Sequence, residues 1–340
     1  MSASGVSFAI KAAHEQFSPR TLLEHAALAE KAGIQAIWAS DHFHPWAHTN
    51  AQSGFAWIWM AAVAERTKNL LLGTGVTAPT LRYHPGIVAQ AFATLGHLYP
   101  GRIRLGLGTG EALNEVPLGY AWPSLKERIE RLEEAIQVIR LLWQGDFVTY
   151  RGRYYSLQGA KMYTKAEVQV PIYVAAFGPK MGYFAGRHAD GFYSFLSQPL
   201  EYYRNTLVPA VRKGAEAAGR SFDGMGAAIE MLFSYDEDLV RATESVRFWA
   251  GSLLPVFFKY GISDPREIEE HGRKVGVEVM KKTWVVTSNP DEVTRRAAEC
   301  LDSGFKELVF MSSSPDQAKA IAMLGRHVVP YLREQYSTRK

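Results

Sequence analysis

Short runs rich in valine, isoleucine and leucine alternate along the chain with longer stretches whose apolar residues recur at helical spacing. A strand covered on both faces reads as a nearly continuous apolar run, whereas a helix packed on one side repeats its apolar positions three and four residues apart. The pattern predicts strands over residues 6–10, 36–39, 70–76, 103–108, 172–176, 191–195, 227–233 and 307–311. It predicts helices over 19–32, 57–66, 85–98, 124–143, 179–188, 200–218 and 290–303, with a last one over 315–336. Strand and helix alternate eight times, and the simplest assembly is an α/β fold of the closed (βα)8 TIM barrel type, in one domain spanning residues 1–340. Two helix starts are signposted: Ser18 before Pro19, and Asn289 before Pro290, each set a side-chain acceptor ahead of a residue with no amide hydrogen. Two segments break the rhythm. Residues 146–158 are β-rich around Arg151 and Gly152 and read as an inserted hairpin, and residues 251–282 read as a second insertion, followed by a short extra strand over 284–287.

Composition fits such a core. Hydrophobic residues make up 47 % and charged residues 21 %, which excludes a disordered or collagenous chain. The net charge of +4 arises from 38 basic and 34 acidic residues without a block of like charges, which argues against a nucleic-acid grip. A single cysteine, Cys300, excludes an internal disulfide and a cysteine metal cluster and leads us to expect a cytoplasmic setting. No apolar run reaches the roughly 18 residues of a membrane span, and the first residues lack the pattern of a secretory leader.

In a (βα)8 barrel the catalytic groups lie just after the carboxyl ends of the strands. Three segments stand out there. Ser40-Asp41-His42-Phe43-His44-Pro45-Trp46 follows the second strand and places an acid, two imidazoles and an indole within seven residues. A base that titrates near neutral pH beside a flat aromatic suits proton removal from a hydroxyl; the same segment is equally compatible with Asp41 capping a turn and the rings filling a loop. Gly106-Leu107-Gly108-Thr109-Gly110-Glu111 follows the fourth strand. Its glycines let backbone approach a ligand, and Glu111 is either a positioned acid or a helix-start carboxylate. The spacing is not the dinucleotide fingerprint, because the third glycine comes one residue early. Ala175-Ala176-Phe177-Gly178-Pro179, after the fifth strand, combines small residues with a helix start that could admit a phosphate.

His42, His44 and His48 cluster without a His-Glu-x-x-His pair or a carboxylate facial set, so no metal site is expected. Neither a Gly-x-Ser-x-Gly elbow nor a P-loop is present, which removes acyl transfer and nucleotide hydrolysis. Trp57 and Trp59 read as helix-face packing, and Lys259, beside Tyr260, is either a substrate-anion partner or a solvated charge.

Taken together, SDHFHPW, TGVTAPTLRYHP, AQAFATLGHLYPGRIRLGLGTGEALNE and VPIYVAAFGP resemble the coenzyme F420-dependent glucose-6-phosphate dehydrogenases of the luciferase-like superfamily. The resemblance runs from KAAHEQFSPR to WVVTSNPDE. It implies that His42 removes the proton of the sugar C1 hydroxyl as hydride leaves for C5 of the deazaflavin, that Trp46 packs against the reacting centre, that Glu111 is the acid serving the reduced ring, and that Glu15 is a further active-site carboxylate. It implies cofactor contacts from Asp41, Thr109, Gly110, Asn114, Ala176 and Gly178, and a non-proline cis peptide between Gly75 and Val76 behind the ring. It also implies a homodimer with a small sugar or alcohol substrate. The match thins at the sugar phosphate. Of the three basic residues the family sets around it, only Lys259 survives; Gln198 and Thr283 stand at the other two positions, and Tyr260 replaces a histidine. Losing two charge-assisted contacts weakens a phosphate site considerably, unless Arg204, Lys281 or Lys282 compensates. Two other readings share the fold: a flavin-dependent luciferase-like monooxygenase, and a catalytically silent cofactor-binding protein.

Overall fold

The structure is a computed structural model that describes residues 5–337. Its strands are β1 (Ser7–Ala12), β2 (Ala36–Ala39), β3 (Leu71–Thr74), β4 (Ile103–Leu107), β5 (Val148–Arg151), β6 (Ser156–Ala160), β7 (Ile172–Ala175), β8 (Gly191–Phe195), β9 (Gly226–Tyr235), β10 (Val285–Thr287) and β11 (Glu307–Ser312). Eight of them form a closed parallel barrel in the order β1-β2-β3-β4-β7-β8-β9-β11, with β11 returning to β1. Helices α1 (Pro19–Lys31), α2 (Ala56–Arg66), α3 (Pro85–Leu98), α4 (Ala112–Glu115), α5 (Leu125–Gln144), α6 (Pro179–His188), α7 (Leu200–Tyr202), α8 (Val208–Ala217), α9 (Leu239–Ser245), α10 (Pro255–Tyr260), α11 (Pro265–Gly272), α12 (Val277–Thr283), α13 (Pro290–Leu301), α14 (Gln317–Met323) and α15 (Val329–Ser337) complete the chain. The main core lies between the outer face of the barrel and the helices, where Phe8, Ile37, Leu72, Leu105, Phe192 and Phe310 are buried.

Most predicted elements form within a residue or two of their expected ends. Ser18 and Asn289 cap α1 and α13 as anticipated, accepting from the Thr21 and Asp291 amides. The hairpin at 146–158 is the antiparallel pair β5–β6. Two long predicted helices are instead interrupted by π turns, Tyr203–Leu207 and Leu324–Val328. Each turn ends two residues before a proline, Pro209 and Pro330; a proline inside a helix lacks a donor and crowds the carbonyl four residues back, and a widened turn accommodates both. The second insertion starts earlier than predicted. The chain is already helical from Leu239, through α9 and a 3-10 stretch Val246–Leu253, before α10, α11 and α12.

The lumen of the barrel holds charged side chains, with apolar ones above them on β8, β9 and β11. Lys11 on β1 donates to Glu230 on β9 at 2.7 Å and to the carbonyl of Gly75 beyond β3 at 2.5 Å. Neither is a neighbour of β1, so these contacts cross the interior. Tyr193 on β8 also donates to Glu230. Glu307 on β11 accepts from the Trp38 indole of β2 and, at 2.6 Å, from Arg104 of β4. Side chains two apart on a strand share a face. Phe195, Leu232 and Met311 therefore face inward too, one repeat closer to the carboxyl ends than Tyr193, Glu230 and Val309.

Candidate active site

The expected catalytic and cofactor residues lie at or beyond the carboxyl ends of the strands. Glu15 is in the β1–α1 loop, Asp41, His42 and Trp46 are in the β2–α2 loop, Gly75 and Val76 follow β3, and Thr109, Gly110 and Glu111 follow β4. Ala176 and Gly178 follow β7. Ser40 ties the first two loops together: its hydroxyl donates to Glu15, and it accepts the His14 amide at 2.9 Å.

His42 is the centre of the group. Its Nε2 lies 3.5 Å from Glu15 Oε1 and 3.4 Å from Glu111 Oε2. Its Nδ1 is 3.3 Å from the His44 carbonyl, which can only accept; in the tautomer that donates there, the neutral ring keeps a lone pair on Nε2 for an incoming proton. The Trp46 ring stands 6.1 Å away, tilted by 53°. Glu15 is buried, whereas the Glu111 side chain remains 32 % exposed at the mouth. Burial raises the Glu111 pKa above its ordinary value, against the pull of His42, and the negative charge of Glu15 pushes the same way. The arrangement can thus take up a proton at His42 Nε2 and keep another on Glu111. His14, adjacent in sequence to Glu15, is pushed down to about 4 by burial and stays neutral at the edge of Trp59.

A buried polar frame, which sequence reading missed, holds these loops. The Asp41 carboxylate accepts from Thr77 at 2.6 Å, Arg82 at 3.1 Å and Tyr83 at 3.2 Å, so this expected cofactor contact spends its acceptors chiefly within the protein. Arg82 also reaches Glu115, whose Oε2 accepts the Arg82 amide at 2.9 Å. Burial pushes Glu115 up to about 7 despite that guanidinium. Asn114 joins the halves: its Oδ1 accepts the Phe43 amide at 2.7 Å while its Nδ2 lies 3.5 Å from Glu111. The only sequence clue was that Arg82 and Tyr83 stand in TLRYHP, and nothing in one dimension points them at Asp41.

Glycines leave stretches of backbone bare in the loops after β3, β4 and β7. The peptide joining Gly75 to Val76 is cis. Gly108 packs against Val76 so closely that a Cβ there would meet Val76 Cγ2 at 2.7 Å, and Gly110 has φ +84°. Gly178 opens α6 with no side-chain cap, and a Cβ on it would meet nothing nearer than the Tyr202 hydroxyl at 3.9 Å. A flat ring against Gly75–Val76 and Thr109–Gly110, with an anionic arm toward the open amino end of α6, fits this surface. The residues expected around a substrate phosphate lie farther out. Gln198, Lys259 and Tyr260 are exposed and Thr283 is half-buried at the end of α12; Lys259 Nζ sits 5.0 Å over the Tyr260 ring.

Residues 4–307 match the family described as luciferase-like monooxygenase. An F420-dependent glucose-6-phosphate dehydrogenase of Mycolicibacterium smegmatis is 46 % identical over 326 residues, 95 % of this chain and 97 % of that protein. Another protein of that description, from Nocardia farcinica, is 46 % identical over 325 residues, again 95 % and 97 %. Among solved structures, an F420-dependent secondary alcohol dehydrogenase in complex with an F420–acetone adduct superimposes with a TM-score of 0.92 at 38 % identity, covering 96 % of this chain and 98 % of that one. The coenzyme F420-dependent tetrahydromethanopterin reductase of Methanopyrus kandleri gives 0.79 at 27 % identity, covering 96 % and 99 %. With this sequence match spanning barrel and mouth alike, the chain belongs to the luciferase-like monooxygenase family and, within it, to the relatives of the F420-dependent glucose-6-phosphate dehydrogenases.

Proposed function

We propose that this protein is an F420-dependent dehydrogenase that oxidises the carbinol carbon of a sugar or related alcohol. The observation that carries the reading is His42 Nε2 held between Glu15 and Glu111 at the barrel mouth, where the chain after β3 turns through the cis Gly75–Val76 peptide. F420 supplies, when bound, a deazaflavin carbon that accepts hydride from the carbinol carbon. His42 Nε2 takes the hydroxyl proton, and Glu15 stabilises the imidazolium that results. Glu111 keeps a proton at Oε2, on the side of the mouth formed by Thr109 and Gly110. Trp46 covers His42 and excludes water from it. Asn114 positions Glu111 against the His42 loop, and Ala176 and Gly178 leave room for the cofactor beyond β7. Lys259, Tyr260, Gln198 and Thr283 form the outer rim that the substrate passes.

Ile58 on α2 and Ile87 and Leu98 on α3 are exposed, and their apolar surface supports a homodimer through these helices. We read the protein as cytoplasmic from its single buried thiol, Cys300. No helix among the described residues is long and apolar enough to cross a membrane.

The test is loss of the visible absorbance of oxidised F420 on adding an alcohol. His42→Ala abolishes that loss while binding F420 as the parent does in a fluorescence titration. Unchanged turnover in the variant removes His42 as the base.

A further inference from the structure

We infer that the alcohol oxidised here is a secondary alcohol with apolar substituents, giving a ketone, and that Phe195, Leu232 and Met311 select it. The inference rests on the dehydrogenase reading and narrows its substrate. Those three side chains come from β8, β9 and β11 and face into the barrel at its carboxyl end, above the layer of Lys11, Tyr193 and Glu230. They pack in one apolar cluster with Trp46, whose ring neighbours His42. The base therefore stands beside an apolar floor.

A second apolar surface rises from the insertion. The Phe258 ring lies 5.1 Å from Trp46, and Trp249 packs into the same cluster. Two polar groups on this side are engaged within the protein, Trp249 Nε1 donating to Gln16 at 2.9 Å and Gln16 in turn lying 3.5 Å from Ser313, while the buried Trp284 indole of this cluster is left without a hydrogen-bond partner among the described residues. A sugar phosphate brings hydroxyls on most carbons and a dianion, each needing a partner once desolvated. Floor and wall offer hydrocarbon instead, and Gln198 and Thr283 bring no charge to the rim. Two apolar surfaces about one base match a carbinol carbon with two alkyl arms. A primary alcohol would leave one surface uncovered.

The experiment measures kcat/KM of the F420-loaded enzyme for 2-propanol, 2-butanol and 2-pentanol beside glucose and glucose-6-phosphate. Burying each added methylene is expected to raise kcat/KM about fourfold, with both sugars far below 2-pentanol. Leu232→Asn is expected to lower kcat/KM for 2-pentanol about tenfold, chiefly through KM, while F420 affinity by fluorescence titration stays within about twofold. Should that variant fail to fold, Met311→Gln, close to it in volume, carries the same comparison. Turnover of glucose-6-phosphate with a flat alkyl series overturns the inference and leaves the dehydrogenase reading standing. F420 binding without oxidation of any alcohol overturns the dehydrogenase reading itself. An alkyl series unaltered by Leu232→Asn and Met311→Gln removes these residues as selectors.

Discussion

Glu115, the last residue of α4, is fully buried with its carboxyl beside the Arg82 guanidinium, and that carboxyl is held at about 7 instead of the ordinary 4.5. The folded chain thus binds this proton more tightly than the unfolded chain does. Below pH 4.5 the group is protonated in both states and its contribution to stability is fully present; as pH rises through 7 that contribution is lost. At about 1.4 kcal/mol per pH unit, the interval amounts to about 3 kcal/mol. Glu115→Gln keeps the acceptor for the Arg82 amide and mimics the protonated acid at every pH. Urea unfolding of parent and variant at pH 4.5 and pH 8 isolates the effect, because all other titrating groups are common to both. The variant is expected to gain about 3 kcal/mol on the parent between the two pH values. A stability difference independent of pH would show that Glu115 is ionised throughout, and that Arg82 outweighs its burial.

Glu111→Gln cannot hold a transferable proton, and kcat is expected to fall by about 10² or more while His42 and Asn114 keep their places; activity within tenfold of the parent argues that the proton comes from elsewhere. Gly110→Ala places a Cβ at φ +84°, 3.3 Å from Thr80 Oγ1, and should cost about 1–2 kcal/mol in urea unfolding and lower kcat by shifting Glu111. Ile58→Glu together with Leu98→Glu should convert a dimer to monomers in sedimentation velocity, and an unaltered dimer would place the interface away from α2 and α3.

Much of the barrel was legible because strands such as Ala36–Ala39 and Ile172–Ala175 are covered on both faces and read as apolar runs. Strand ends were less so where the lumen is charged: Lys11 lies inside β1 yet reads as an exit from the strand, since its partners Glu230 and Gly75 are far off in sequence. The π turns were invisible because helical spacing persists through Tyr203–Leu207 while only the hydrogen bonding changes. At the site, motif order pointed to His42, Glu111 and Trp46, and the structure brings them together with Glu15. The frame of Asp41, Arg82, Tyr83 and Glu115 escaped because each group is unremarkable alone and acquires meaning only from burial and a partner dozens of residues away. The apolar floor escaped likewise, for Phe195, Leu232 and Met311 sit on three separate strands that only the barrel closure brings together.

The chain leaves β9 at Tyr235 and comes back at Val285, which pairs in parallel with Phe233 on that same strand. The departing and returning ends of the second insertion are thereby pinned side by side by main-chain bonds, whatever lies between them. Such a segment is a cassette. It can be lengthened, shortened or exchanged between homologues while the eight-stranded closure stays intact, so the wall over the mouth is free to diversify while the β1, β2 and β4 loops that carry Glu15, His42 and Glu111 keep one fixed geometry.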